Sequence, residues 1–277
     1  MTQNLDLAEM HDDQSQDGTG EDATVSPRAL IPDPSQMAIL LDIDGTLLDL
    51  APTPREVWVP PDLAITLHQL LERTQGALAL VSGRSLNDID LIFAPEQFPA
   101  VGGHGAEMRL SFDREAVATH APPMDQELKR RLAAIAKLSP GILLEDKGYS
   151  LALHYRLAPH AEKAIYEAVS VIRADLPNAP IEVLPGKCVC EIKHSGFTKA
   201  SGVRELMMRE PFRSRRPLFI GDDVTDESVF AIMPDYDGFA FSVGRRARGV
   251  AGHFDSPSDV RAFLASLLDD GKATARP

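Results

Sequence analysis

No apolar run in this sequence approaches the roughly 20 residues needed to cross a bilayer, so nothing in it reads as a membrane-spanning helix. The N-terminus has no basic stretch followed by an apolar one, so no secretory signal is read and the cytoplasm is the expected compartment. Cysteine is scarce. Cys188 and Cys190 stand one residue apart in an alternating segment, and a strand there points them to opposite faces, so no disulfide between them is expected. An excess of base is missing too. The formal net charge is -13, which argues against a nucleic-acid partner, because such proteins display basic patches. An anionic substrate must therefore be held by a few local cations and a metal.

What is present fits a soluble globular enzyme: 277 residues, 44% hydrophobic and 25% charged. Seven acids against one base, Arg28, fall within residues 1–28, a segment rich in Gln, Ser, Thr and Gly without apolar periodicity. Residues 1–36 are expected to form a disordered acidic tail, with ordered structure beginning near Ala38. From there AILLDIDGTLL (38–48) reads as a strand buried on both faces that breaks at Asp-Gly, and 61–74 has helical spacing after Pro-Pro. GALALVSGRS and a helix over 85–93 follow. The pattern returns with a helix over 198–209, the strand PLFIGDD, a helix from Thr225, the strand GFAFSVG and a helix over 258–268. This predicts an α/β fold with a doubly wound, mostly parallel, Rossmann-like sheet over 37–111 and 195–270. The texture between is different: a helix at 124–138, two strands joined at Lys147-Gly148, a helix at 159–174, and two strands turning at Pro185-Gly186. An α+β unit over 112–194 is thus inserted into the sheet domain.

Asp42 and Asp44 end the first strand, at the edge of an open α/β sheet where ligands bind. Period two puts both on one side, and Gly45 lets the chain turn away. Two carboxylates at one tip repel unless a cation or shared proton relieves them. A hard divalent ion does so, Mg2+ where phosphate is the co-ligand; a solvated Asp-Gly turn is the plain alternative. A second tip, Val81-Ser82-Gly83-Arg84, suits a phosphate oxygen at a helix start, as it also suits an ordinary N-cap. The third is Gly221-Asp222-Asp223-Val224-Thr225-Asp226-Glu227. Matching the helix dipole accounts for Asp226 and Glu227 better than for Asp222 and Asp223. Lys199, in the first turn of the preceding helix, runs against the dipole preference and is the cation this cluster lacks. The set suits phosphoryl transfer: Asp42 attacks phosphorus, Mg2+ and Lys199 neutralise the oxygens, Asp44 moves the proton, and Asp222 completes the metal shell.

In order and spacing these motifs resemble the haloacid dehalogenase-like phosphatase superfamily, whose pattern is Asp-x-Asp-x-Thr, Ser, Lys, then Gly-Asp-Asp-x-x-Asp. The resemblance covers about residues 38–268. It implies Asp42 as nucleophile, Asp44 as acid/base, Ser82 and Lys199 as further catalytic groups, and Mg2+ on Asp42, Asp44 and Asp222. Asp223 and Asp226 are then supporting acids, Gly83 and Arg84 contact substrate, and the insert is similar to the family's second type of cap. Finer landmarks resemble trehalose-6-phosphate phosphatases. They are Gly103-His104-Gly105-Ala106-Glu107, Glu145-Asp146-Lys147-Gly148 running to His154-Tyr155-Arg156, Pro185-Gly186-Lys187 with Glu191 four residues on, and Gly-Asp-Asp-x-Thr-Asp-Glu. That implies trehalose 6-phosphate as substrate, Glu145, Lys147, Lys187 and Glu191 as sugar readers, and His104, Gly105 and Arg156 near the mouth.

Period-two geometry agrees, since Glu145 and Lys147 share one strand face and Lys187 and Glu191 another, and mixed charges suit a polyol that both donates and accepts. A surface ion-pair ladder is the alternative. His154 and Tyr155 fit core packing as well as ligand contact. Rival readings are another sugar phosphate such as sucrose phosphate or a mannosyl phosphate, a nucleotide, a phosphate-binding domain without turnover, and a phosphomutase. A monomer is expected, with cap hinges near 109–112 and 194–196 and closure over the substrate.

Overall fold

The computed structural model describes residues 27–31, 33–51, 56–110, 118–119, 121–186 and 188–269. The chain opens with α1 (Pro27–Leu30), β1 (Met37–Leu41), α2 (Pro61–Arg73), β2 (Leu78–Val81) and α3 (Leu86–Phe93). Three short strands follow: β3 (Ala100–Gly102), β4 (Glu107–Arg109) and β5 (Ala118–Thr119). The insert holds α4 (Gln126–Ala134), β6 (Leu143–Asp146), β7 (Ser150–His154), α5 (Glu162–Asp175), β8 (Ile181–Gly186) and β9 (Val189–His194). The chain ends with α6 (Lys199–Met207), β10 (Arg216–Gly221), α7 (Val224–Phe230), β11 (Phe239–Val243), β12 (Gly252–Phe254) and α8 (Pro257–Ser266).

One sheet runs β12-β11-β10-β1-β2-β3-β4-β5, parallel except where β4 and β5 turn back. All five residues of β1 are buried, because helices cover both faces. Ile39 and Leu41 join the core under α2, α3 and α8, while Ala38 and Leu40 join the core under α6 and α7. From β1 the chain winds outward through β2 and β3, and it later resumes on the other side at β10. The crevice at that reversal, beyond the C-terminal ends of β1 and β10, is where such sheets take ligands.

The insert is a four-stranded antiparallel sheet, β6-β7-β9-β8. Leu151, Leu153, Cys190 and Ile192 pack on Leu128, Leu132, Ile165 and Val169 of α4 and α5. Alternation sends Ser150, Glu191 and Lys193 to the uncovered face.

Three boundaries differ from the sequence reading. The described part of the expected tail is packed, since Ile31 is fully buried in the main core and Arg28 donates to the Ser266 carbonyl of α8. Apolar contact there outweighs the polar composition that precedes it. The rest of the expected tail, residues 1–26 and 32, lies outside the described residues. The core sheet also claims Ala118–Thr119, which pairs with β4, so the second sheet's unit starts beyond residue 119 rather than at 112. The first hinge cannot fall at Arg109, which is buried in β4 with two guanidinium nitrogens on Asp90.

Ile31→Ala is expected to lower unfolding free energy by roughly 2–5 kcal/mol in urea titrations, the cost of emptying a buried aliphatic site. A change under about 0.5 kcal/mol would mean that the segment before β1 packs on nothing that matters.

Candidate active site

Lys199 is the point on which the crevice closes. Thr198 caps α6 by accepting from the Ser201 amide, and this reciprocal cap sets Lys199 at the first helical position. The Lys199 ammonium donates to Asp42 Oδ1 at 2.7 Å and to Asp226 Oδ1 at 2.8 Å, with all three residues buried. The other oxygen of Asp226 accepts the backbone amides of Asp222 and Asp223. Asp226 thus accepts three internal donors and acts as the strut that holds both the lysine and the loop after β10.

Carboxylate oxygens of Asp42, Asp222 and Asp226 lie within 4.8 Å of one another. Thr46 donates to Asp222 Oδ1 at 3.2 Å. Gly45, with φ at +80°, lets the β1 loop pass so close that a Cβ would sit 2.1 Å from Asp222 Oδ2. Burial raises Asp42 well above the ordinary carboxylate range, assisted by the charges of Asp226 and Asp222 and opposed by Lys199. Burial and the Asp226 charge push Asp222 up to about 6. Burial works against the Lys199 charge, but Asp42 and Asp226 outweigh it and raise the ammonium. Three acids against one base leave an excess of negative charge that a divalent cation on Asp42 and Asp222 would neutralise, and the donor set is all oxygen.

Asp44 stands outside this group. Arg84 grips it with two bonds, Nε to Oδ2 at 2.5 Å and Nη2 to Oδ1 at 2.6 Å. The side chain expected among the metal ligands is therefore committed to a guanidinium, and the third carboxylate in the cluster is Asp226. Ser82 is buried, and its hydroxyl accepts the Arg84 amide at 3.1 Å. Gly83 leaves space for the His104 ring, whose Nε2 would lie 2.4 Å from a Cβ there. Asp223 is exposed and caps α7.

Above the cluster lies the open face of the second sheet. His104 Nε2 is 3.7 Å from Glu191 Oε2, Lys147 Nζ is 3.5 Å from Glu191 Oε1, and Ser150 donates to Oε1 at 3.0 Å. Burial alone would raise Glu191, yet His104, Lys147 and Ser150 hold it down at about 2. Glu145 pairs with His154 at 2.9 Å. His154 thus belongs to the polar face, whereas Tyr155 is buried and donates to Glu162. Arg156 is exposed beyond the end of β7 and joins none of these groups. Lys187 lies outside the described residues. Gly105 abuts α6, and Tyr149 of the insert reaches over Gly103. A cavity of about 190 Å3 opens between Lys199 and this face. A larger hollow of about 640 Å3, between α5 and β8, shares no residue with the acidic cluster.

A model of the trehalose-phosphatase family matches residues 40–259. The chain belongs to the trehalose-phosphatase family. It is 39% identical over 243 residues to a probable trehalose-phosphate phosphatase of Sinorhizobium fredii, covering 86% of this chain and 90% of that one. It is 36% identical over 234 residues to the trehalose-6-phosphate phosphatase of Escherichia coli, covering 84% and 87%. The C-terminal domain of Candida albicans trehalose-6-phosphate phosphatase superposes with a TM-score of 0.72 at 19% identity, over 87% of this chain and 96% of that one, which shows the shared fold.

The sequence reading omitted Thr46 and Tyr149, and it gave Asp226 only a supporting place. Thr46 was visible as the last position of Asp-x-Asp-x-Thr. Tyr149 gives no local signal, because only the folded chain carries it onto the Gly103 loop.

Asp226→Ala is expected to cost about 3–5 kcal/mol of stability in urea, since it strands a buried ammonium and two amides. A loss below about 1 kcal/mol would show that Lys199 does not depend on this strut.

Proposed function

We propose that this protein hydrolyses trehalose 6-phosphate to trehalose and inorganic phosphate through a phosphoryl group carried on Asp42, with Mg2+ as cofactor. The observation that carries the reading is the Lys199 ammonium bonded to Asp42 and Asp226, which brings three distant segments to one strand tip. In the first step Asp42 forms a bond to phosphorus as the bond to the sugar oxygen breaks, and Asp44 gives that oxygen a proton. In the second, water attacks the acyl phosphate, Asp44 takes its proton, and Asp42 is restored. Both oxygens of Asp44 start on Arg84, so the proton work requires that pair to part, and Arg84 then turns to the phosphate. Lys199 stays charged throughout and faces the phosphoryl oxygens, while the Ser82 hydroxyl offers a further donor. Bound at Asp42 and Asp222, Mg2+ supplies charge neutralisation and orientation.

The mixed face of Glu145, Lys147 and Glu191 suits the hydroxyls of a disaccharide, and from the sequence alone we add Lys187, four residues before Glu191. We take the unit from residue 121 to His194 as the cap and the rest as the core. We propose that the protein acts as a monomer. Both cysteines are free thiols, which fits a cytoplasmic setting.

Purified protein is expected to release phosphate from trehalose 6-phosphate far faster than from sucrose 6-phosphate or glucose 6-phosphate. A chelator should stop it and Mg2+ restore it. Asp42→Asn should abolish turnover in protein that still folds, and Lys199→Met should lower kcat by at least roughly 100-fold. Glu191→Ala should harm trehalose 6-phosphate much more than p-nitrophenyl phosphate. Turnover that survives in Asp42→Asn would remove the nucleophile, and equal rates across the sugar panel would remove the substrate.

A further inference from the structure

Lys193 has no part in the mechanism above, yet its ammonium is almost wholly enclosed, with 5% of the side chain exposed. It is two residues beyond Glu191 on β9, and so on the same face of the cap sheet. Register sets it opposite Glu182 of β8, and Nζ lies 2.9 Å from Glu182 Oε2. A second hydrogen bond goes to the Phe197 carbonyl, just before the cap of α6. A lysine has three donors, so one remains. Glu182 is half exposed, and no bond to its other oxygen is present among the described residues.

Both side chains line the cavity of about 190 Å3 whose opposite wall is Lys199 and Thr198. Lys199 bonds to Asp42 and also lines this cavity, so the space adjoins the residue that would attack phosphorus. Its size is below the roughly 300–1,000 Å3 of pockets that enclose drug-sized ligands, which leaves room for one sugar ring but not two. Enclosing an ammonium is costly unless it is paired, and Lys193 is matched by the half-exposed Glu182 carboxylate and the Phe197 carbonyl.

Resting on the sugar-phosphatase reading, we infer that Lys193 and Glu182 are specificity-determining residues that read hydroxyls of the phosphate-bearing ring, Lys193 donating and Glu182 accepting. The Glu145, Lys147 and Glu191 group then reads the distal ring. This divides the cap face into two subsites that succeed each other along the sheet.

The test uses full-length protein with Lys193→Met, Glu182→Gln and Glu191→Ala. It measures kcat and KM on trehalose 6-phosphate and p-nitrophenyl phosphate, and Ki for glucose 6-phosphate against the latter. Glucose 6-phosphate carries the phosphate-bearing ring alone. Lys193→Met and Glu182→Gln are expected to raise KM for trehalose 6-phosphate and Ki for glucose 6-phosphate together, each by roughly tenfold or more, as loss of a charged hydrogen bond does. The change on p-nitrophenyl phosphate should be several-fold smaller. Glu191→Ala should raise KM for trehalose 6-phosphate and leave the glucose 6-phosphate Ki within about threefold. Lys193→Arg should recover part of the loss. Equal losses on all three compounds would make the pair a strut for the linker and overturn the inference. So would an effect on trehalose 6-phosphate alone, no effect at all, or failure of glucose 6-phosphate to compete in the unaltered protein. If Lys193→Met fails to fold, Glu182→Gln decides between these outcomes by itself. Failure of the unaltered protein to release phosphate from trehalose 6-phosphate while it cleaves p-nitrophenyl phosphate is a different outcome, and it counts against the substrate reading itself.

Discussion

A buried ammonium between two buried carboxylates governs the shape of this crevice. Neither charge could be taken out of water alone, and breaking such a set costs several kcal/mol, so Lys199, Asp42 and Asp226 hold one another in place. The internal bonding of Asp226 is what makes the arrangement directional. With three donors already on its oxygens, from Lys199 and two amides, it is less available to a cation than Asp42 and Asp222. One negative pair is thereby turned outward to the crevice while the third acid stays behind it.

That excess has a consequence for a protein of net charge -13, which would otherwise repel an anionic substrate. Attraction must come from charges placed at short range, where screening and the distant acids matter least. Among the described residues, cations near the crevice include Lys199 and Arg84 from the core, and Lys147 and Lys193 from the insert. Each is already matched to a carboxylate, so substrate exchanges one ionic partner for another instead of meeting bare charge. Asp44 and Arg84 are the clearest instance, because the bond between them joins the two groups proposed to handle the proton and the phosphate.

The long parallel strands were legible because burial on both faces writes continuous apolar runs, as in Met37–Leu41 and Arg216–Gly221. The two hairpins of the insert were legible from alternation and from Gly and Pro at their turns. Strands of two or three residues, such as Ala118–Thr119 and Gly252–Phe254, write no period at all and escaped notice. Position at a strand tip identified Asp42, Asp44 and Asp222, but not which of the neighbouring acids would share an oxygen cluster. That choice turns on Arg84 capturing Asp44 and on the α7 cap turning Asp226 inward, both contacts between segments far apart in the chain. Lys193 shows the opposite case. Its face followed from Glu191 by counting two, but its worth became visible only once register put Glu182 across from it.

The residues proposed to read sugar and to attack phosphorus are joined by contact, and this bears on how the site keeps water out. Glu191 of the cap meets His104, and His104 stands on a loop whose Gly105 lies so near Thr198 that a Cβ would be 2.2 Å from its carbonyl oxygen. Thr198 caps the helix that carries Lys199, and Lys199 holds Asp42. Glu191 therefore meets the same loop that abuts the helix of Lys199, while Lys193 ties the insert to the Phe197 carbonyl just before Thr198. Two cap contacts thus straddle the start of that helix. Both contacts hold the insert against the start of that helix, so the proposed reading of the sugar and the shielding of the crevice from bulk water rest on the same residues.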